Sequence, residues 1–256
     1  MNAAPTAAPT AAMLMIGNEV LSGRTVDQNL NFLAKALSSA GLDLQECRVI
    51  QDDVPVIVQN LQALSRQYDH VFSTGGIGPT HDDMTADAVA IAFDRPLVVD
   101  AAALTRLVDY YQGVEQVTPA RKRMARIPLG ATLIDNPVSG APGFSVGNVH
   151  VMAGSPKIFQ AMLNGLLPRL APDAQPYRSV TIQCPSGESR IADVMTAAQA
   201  LYPDLQVGSY PTIKNDRPHT AVVVRGRDDA RIDACVAGLF AEIVALVPQS
   251  TLGDGL

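Results

Sequence analysis

The sequence predicts an α/β protein in two parts: a first domain on a mostly parallel sheet covered by helices on both faces, and a small α+β domain behind it. Three observations carry this expectation. Short apolar runs alternate with amphipathic stretches from residue 12 to about residue 92, as βαβ units require. The string STGGIGPTHDDMTADAV, residues 73–89, stands between one such strand and one such helix. Beyond APDAQP, residues 171–176, the chain is too short for a second doubly wound sheet.

MNAAPTAAPTAA, residues 1–12, has no basic start and no apolar stretch of signal length, so it is expected as a disordered tail before a first domain over 13–172. AMLMIG is a strand candidate. In TVDQNLNFLAKALSSAG, Val26, Leu30, Leu33, Ala34 and Leu37 fall at helical spacing. Thr25 and Gln28 form a capping-box pair, and Gly41 supplies a left-handed stop. A strand near 43–50, a helix near 54–67 with Ile57, Leu61 and Leu64 on one face, the strand HVFST and a helix after Thr85 repeat the pattern. Helices are expected near 101–112 and at TPARKRMAR, where Thr118 caps and Pro119 suits the first helical position. Gly147-Asn148 between FSV and VHVM marks a hairpin. Ser155 and Pro156 open a last helix with Ile158, Met162, Leu163, Leu166 and Leu170 as its stripe.

The stretch 171–176 reads as a linker and 177–248 as the small domain. There the elements are YRSVTIQC, SRIADVMTAAQALY, LQVGSY, TAVVVRG and a helical run from about 229 to 246.

At 256 residues, with 47% hydrophobic and 17% charged residues, the composition is that of an ordinary globular protein. A net charge of −6 argues against nucleic acid or an anionic membrane as partner, since both need a positive field. Cys47, Cys184 and Cys235 show no metal or disulfide spacing and read as small buried hydrophobes. No window reaches the ~20 apolar residues of a membrane span. A cytoplasmic protein is expected.

The glycine string carries the chemistry. HVFST delivers the chain to the carboxyl edge of the sheet, where open α/β sheets bind ligands. Gly75, Gly76 and Gly78 permit positive φ and close backbone approach, so successive N–H groups can face an anion such as phosphate. The following helix adds its N-terminal dipole. Asp82 and Asp83 would repel phosphate unless a divalent cation lay between, and magnesium held by one or two carboxylates plus phosphate oxygens meets that need. His81 could donate to phosphate or move a proton, although a lone histidine is more often a solvated group. No lysine follows the glycines as in a P-loop, and His81 stands where the dinucleotide fingerprint needs glycine. A plainer reading makes Asp83 the cap of the helix.

TGGIGPTHDDMT closely resembles the signature of the molybdopterin-binding domain family, which includes molybdenum-cofactor biosynthesis proteins, the N-terminal module of competence/damage-inducible protein A and a domain of FAD synthases. IGNEVLSGRTVDQNLNFLAKALSSAGLDL, IDNPVSGAPGF, VMAGSP, GESRIADVM and VGSYP resemble the competence-protein branch. The resemblance implies a three-layer α/β domain with its ligand at the edge formed by Gly75 to Asp83. It extends the ligand set to Thr74, Pro79 and Thr80 in the string, and to Gly17 and Glu19 in the opening motif. Ser139, Pro142 and Gly143 match the family's ligand loop, and Gly154, Ser155 and Pro156 its phosphate-side turn. The family aspartate falls on Asp83, and a second acidic position on Asp52 or Asp53. Family members bind a pterin phosphate or an adenine nucleotide with a divalent cation, and they commonly form homo-oligomers. Ser155 replaces a common proline, and the chain leaves no room for the amidase-type domain that usually follows, so that activity is expected to be absent.

The resemblance further implies hydrolysis of a pyrophosphate link of ADP-ribose or FAD type, and with the loop chemistry it leads to attack at a phosphoanhydride, with Asp83, helped by Asp82 or Asp52, holding magnesium, manganese or cobalt. Asp83 and Asp82 are the metal candidates. Two rivals share the same glycines: a carrier that binds a pterin or nucleotide without turnover, and adenylyl transfer to molybdopterin. The basic run of Arg121, Lys122, Arg123 and Arg126, like Arg24 and Lys157, reads first as solvated charge. The small domain has a coarse order of elements that suggests RNA binding, but it lacks a GxxG clamp, so packing or oligomer formation is expected of it.

Overall fold

The computed structural model describes residues 8–170 and 175–253. The expected tail as far as residue 7, and the expected linker from 171 to 174, lie outside the described residues. The chain divides into two units, Met1–Ala174 and Gln175–Leu256.

The first unit begins with β1 (Thr10–Ile16), α1 (Asn18–Leu21), α2 (Asn29–Ser39), β2 (Asp43–Ile50), α3 (Val54–Gln67), β3 (His70–Thr74) and α4 (Thr85–Ala92). There follow β4 (Leu97–Val99), α5 (Ala101–Tyr111), α6 (Pro119–Arg123), β5 (Arg126–Pro128), β6 (Thr132–Ile134), β7 (Gly143–Val146), β8 (Val149–Met152) and α7 (Pro156–Leu170). Six strands form one sheet in the order β2-β1-β3-β8-β7-β6. The pairs β1–β2, β1–β3 and β3–β8 are parallel, while β7 runs antiparallel to both its neighbours.

Strand β1 shows why this sheet has two covered faces. Its Ala12, Leu14 and Ile16 pack with Ile57, Leu61 and Leu64 of α3. Its Ala11, Met13 and Met15 pack with Leu33 and Leu37 of α2 and with Met162 and Leu163 of α7. A strand buried on both sides reads as a continuous apolar run, as AAMLMI does. The first connection places β2 on one side of β1 and the next returns β3 to the other. The carboxyl ends of β1 and β3 therefore flank a switch in strand order, the position at which an open sheet leaves a crevice.

The structure departs from the sequence expectations at several places. Strand β1 begins at Thr10, inside the expected tail. Helix α2 starts at Asn29, and Thr25 lies in the preceding loop, so there is no Thr25–Gln28 capping box. Asp27 takes that role: its carboxylate accepts from Asn29 N at 3.1 Å and Leu30 N at 2.9 Å. Val26, expected on the buried stripe, is 81% exposed. Strands β4, β5 and β6, of three residues each, are additions, and β4 pairs with β5 in a separate ribbon.

The second unit holds β9 (Arg178–Cys184), α8 (Ala192–Leu201), β10 (Gln206–Lys214), β11 (Arg217–Gly226), α9 (Asp229–Leu246) and β12 (Thr251–Gly253). Its sheet runs β10-β11-β9-β12, with every pair antiparallel. Ile182, Val222 and Val224 on one face pack with Ile232 and Leu239 of α9, giving the small α+β unit a core of its own. Cys184 and Cys235 are buried and Cys47 half-buried, all three as free thiols. Among the described residues no helix is long and apolar enough to cross a membrane.

Candidate functional site

At the end of β3 the backbone turns through Gly75 at φ +101° and Gly76 at φ +66°. Both values lie where side chains are strained, and space forbids one as well. A Cβ on Gly75 would collide with the Ile16 carbonyl oxygen, and one on Gly76 with the Thr85 hydroxyl. The turn is latched to the start of α4, because Thr85 Oγ1 donates to Gly75 O at 2.9 Å and Thr85 N to Gly76 O at 3.0 Å. Among the described residues, the N–H groups of Gly76, Ile77 and Gly78 meet no acceptor. Three successive unpaired amides make a concavity suited to an anion.

Asp83 closes this loop rather than capping α4. Its Oδ2 accepts from Thr80 N at 2.8 Å and from Thr80 Oγ1 at 2.5 Å, which leaves Oδ1 without a partner among the described residues. The carboxylate lies over Gly78, where a Cβ would sit 2.7 Å from Oδ2. Asp82, His81, Pro79 and Thr80 are exposed. Proximity to the Thr80 hydroxyl is the main cause that holds the Asp82 carboxyl below the usual range, with smaller help from that residue's own amide and from His81.

Two cavities flank the turn, of about 330 and 380 Å³ counting the solvent at their mouths. The first is lined by Gly76, Ile77 and Asp83 together with Arg123, Pro142 and Phe144. On its wall Arg126 is paired with Asp87 at 2.5 Å. Arg123 reaches the Asp83 carbonyl from Nη2 at 3.4 Å, while its Nε is sealed from solvent and has no acceptor. The other two cations of the basic run are placed differently. Arg121 stacks 3.9 Å over the Tyr111 ring and donates to Gln116 O at 2.6 Å, and Lys122 is exposed.

The second cavity is lined by Glu19, Asp27, Asn29, Thr74, Gly154 and Pro156, with Met15, Val20 and Val26 as apolar wall. Asn29, only 4% exposed, donates from Nδ2 to Gly154 O at 2.8 Å and to Thr74 Oγ1 at 3.2 Å. The Gly154 carbonyl fixes which end of the amide points where, and Oδ1 is left unpaired. Gly75 separates the two cavities: a Cβ on Gly154 would lie 3.4 Å from Gly75 Cα.

The structure thus brings Gly76, Asp83 and Pro142 to one cavity and Glu19, Thr74, Gly154 and Pro156 to the other, with Gly75 between and Gly78 beneath the Asp83 carboxylate. The remaining candidates line neither. Gly17 is buried under the Glu19 carboxylate and donates to Ile50 O at 3.1 Å. Asp52 accepts from Asn18 N at 2.8 Å, and Asp53 caps α3 by accepting from Val56 N at 3.0 Å. Ser139 accepts from Asn136 Nδ2 at 2.6 Å, Gly143 packs against Met162, and Ser155 opens α7 through its carbonyl bond from Phe159 N at 2.8 Å. Sequence reasoning missed Asn29 and Asp27. The available signal was spacing, since Asn29, Leu33 and Leu37 form one buried line on α2, and a polar residue on such a line needs a reason. Among the described residues no group of three or more His, Cys, Asp or Glu side chains gathers as a metal cage.

Comparison with known proteins divides the chain as the architecture does. Residues 12–172 match the family model described as "Probable molybdopterin binding domain", and residues 176–249 match "FAD synthase, middle domain". A protein of Archaeoglobus fulgidus is 32% identical over 88% of this chain and 93% of its own length. A "Probable FAD synthase" of Caenorhabditis elegans is 31% identical over 90% of this chain, which spans about half (49%) of that relative. The crystal structure of the protein CinA from Thermoplasma acidophilum superposes with a TM-score of 0.60 at 35% identity, covering 64% of this chain and 98% of that one.

Proposed function

The chain belongs to the molybdopterin-binding domain family, and on that footing we propose that it binds a small phosphorylated ligand, a pterin phosphate or an adenine nucleotide, at the Gly75–Asp83 loop and hydrolyses a pyrophosphate bond of the ADP-ribose or FAD type. The observation that carries this reading is the run of three unpaired amides at Gly76, Ile77 and Gly78 beside the free Oδ1 of Asp83. Amides in that arrangement favour an oxyanion, and a carboxylate beside it favours a cation shared with the anion.

The donor set suits a divalent ion only in partnership with the ligand. Asp83 offers one free oxygen at the cavity wall and Asp82 an exposed carboxylate, while Asp52 is held by the Asn18 amide. Magnesium commonly takes one or two carboxylates and completes its shell with phosphate oxygens and water. When bound, such an ion would offset charge on the phosphates and lower the pKa of a coordinated water. The residues of this chain do the positioning. The amides grip one phosphate, Thr85 keeps the glycine turn in place, and the Thr80 bonds hold Asp83 facing the cavity. Water adds to one phosphorus, the bridging P–O bond breaks, and two phosphate monoesters leave. A reaction made of positioning and electrostatics needs no serine or cysteine nucleophile.

The test is AMP release from ADP-ribose, FAD and ATP with magnesium, manganese or cobalt. Asp83→Asn keeps an acceptor for Thr80 and removes the charge. It is expected to lower turnover at least about a hundredfold, the scale of losing one preorganised electrostatic group. Near-normal turnover would remove Asp83 from the mechanism. A second reading, a carrier without turnover, is favoured by the commitment of Asp83 Oδ2 to scaffolding the loop. Measurable affinity with no AMP from any substrate would select it. Consumption of ATP only when molybdopterin is added would instead select adenylyl transfer.

A further inference from the structure

The first cavity has walls from distant parts of the chain, and two of them rest on the same turn of helix. One wall is the glycine turn with Asp83. A second is Arg123, Met124 and Arg126 from α6 and β5, and a third is Pro142 with Phe144, where the loop after β6 runs into β7. Tyr110 and Tyr111, the last two residues of α5, line none of them. Adjacent residues of a helix point roughly 100° apart, so each of two rings can serve a different neighbour.

Tyr110 serves the loop. Gly140 takes φ +71° against it, and a Cβ there would sit 2.5 Å from Tyr110 Cβ, so the loop backbone lies directly on that side chain. Asn136, only 8% exposed, ties the loop into one piece from inside. Its Nδ2 donates to Ser139 Oγ at 2.6 Å and Ala141 O at 2.7 Å, and its Oδ1 accepts from Val138 N at 3.0 Å and Ser139 N at 3.1 Å. One turn earlier on α5, Arg106 pairs at 2.5 Å with Asp135 at the start of the loop. Tyr111 serves the basic run, because the Arg121 guanidinium lies 3.9 Å over its ring, two residues before Arg123. The two rings meet edge to face, with centroids 5.1 Å apart. Neither tyrosine hydroxyl has a partner among the described residues, so the aromatic bodies carry these contacts.

We propose that Tyr110 and Tyr111 form a positioning bracket that fixes the loop wall and the basic wall of the first cavity to one another. Its use rests on the proposed phosphoanhydride ligand; its geometry does not. The two tyrosines touch no ligand. They set the width of the cavity into which the glycine turn opens, and a wall displaced by about 1 Å costs up to about a hundredfold in a site that works by positioning.

The experiment has two arms. Hydrogen exchange read by mass spectrometry, without ligand, follows the segments 119–127 and 136–143. Tyr110→Ala and Tyr111→Leu are each expected to speed exchange about tenfold or more in both segments and to leave α2 and α3 unchanged, while Tyr110→Phe and Tyr111→Phe match the wild type. In the second arm calorimetry with magnesium measures α,β-methylene ADP-ribose, whose bridging carbon prevents turnover. Each ring-removing variant should weaken binding about tenfold, the double variant little more than either alone, and both phenylalanine variants should stay within twofold. The bracket is overturned if each variant loosens only its own segment, if α2 and α3 loosen as well, or if the losses of affinity add. A wild-type protein that does not bind the analogue overturns the phosphoanhydride reading alone, since the exchange arm decides the coupling of the walls without ligand.

Discussion

The two ends of strands β3 and β8 are built on opposite plans. At their amino ends the polar groups pair with one another. Asn148 donates from Nδ2 to the Ser65 and Tyr68 carbonyls at 2.9 and 2.8 Å, and its Oδ1 accepts from Ser65 Oγ at 2.8 Å. Asp69 Oδ2 accepts from both Thr10 N and Thr10 Oγ1 at 2.8 Å, and Asp69 N donates back to the Thr10 hydroxyl at 3.1 Å. His150 lies 2.9 Å from Ser145 Oγ on one side and 3.2 Å from His70 Nδ1 on the other. At the carboxyl ends of the same strands come Gly75–Asp83 and Gly154, with unpaired amides, positive φ and unmatched atoms on Asn29 and Arg123. Among the described residues the amino end pairs its polar groups internally, while the carboxyl end leaves donors and acceptors open, as the proposed ligand requires. On that reading function and stability are separated along about five residues of strand.

Gly75→Ala tests that separation where the largest effect is expected. The new Cβ meets the Ile16 carbonyl at φ +101°, so strain in the upper part of ~1–3 kcal/mol is expected, together with a shift of the amides that follow. Ligand affinity measured by calorimetry should fall more than about a hundredfold, since several preorganised donors move together. Retention of affinity within a few-fold would mean that the turn does not position the anion.

Asn148→Ala reads the other end. Three hydrogen bonds vanish and two carbonyls lose their donor, so denaturant unfolding should show a loss of about 2–3 kcal/mol. Ligand affinity should stay within about twofold. A matching drop in affinity would show the two ends to be coupled and dissolve the contrast.

The division explains what was legible in the sequence. Elements that depend on neighbours in the chain could be read: Gly41 and Gly147 take positive φ as their turns need, Thr118 caps α6 by accepting from Arg121 N, and Ile57, Leu61 and Leu64 are fully buried. The start of α2 was misread because Thr25, Asp27 and Asn29 all have the chemistry of a helix start, and the choice fell to Asp27 through its reach to two amides. The β10–β11 hairpin was longer than expected. Asn215 and Asp216, at φ 50° and 58°, make the tight turn, and Pro218 is tolerated because β11 pairs with β9 only from Thr220 onward. The candidate site is legible as a place, the glycine string, but the partners of the cations beside it are not. Which cation lining the cavity lacks a close partner depends on Asp87, which holds Arg126, and no spacing rule connects that residue to Arg123.

The smallest expected effect is also the most diagnostic of the closed end. Burial pushes the His150 imidazolium down to about pH 3 from its ordinary 6.5, and the charge of His70 pushes the same way. His70 itself is lowered by burial against the opposing pull of Asp69. The unfolded chain takes up a proton on His150 near pH 6.5 and the folded chain only near pH 3, so protons favour unfolding throughout that window. Stability should be full above pH 6.5 and fall by up to about 1.4 kcal/mol for each unit of acidification below it. Between pH 6.5 and 5 the carboxylates held low, Asp69, Glu46 and Asp82, remain ionised, so their titration does not contribute. Thermal unfolding of wild type and His150→Gln across that interval isolates the imidazole, and the variant should show a clearly shallower slope. Equal slopes would mean that the ring is already solvated or protonated in the folded protein, and that the amino end of the sheet is less closed than its hydrogen bonds imply.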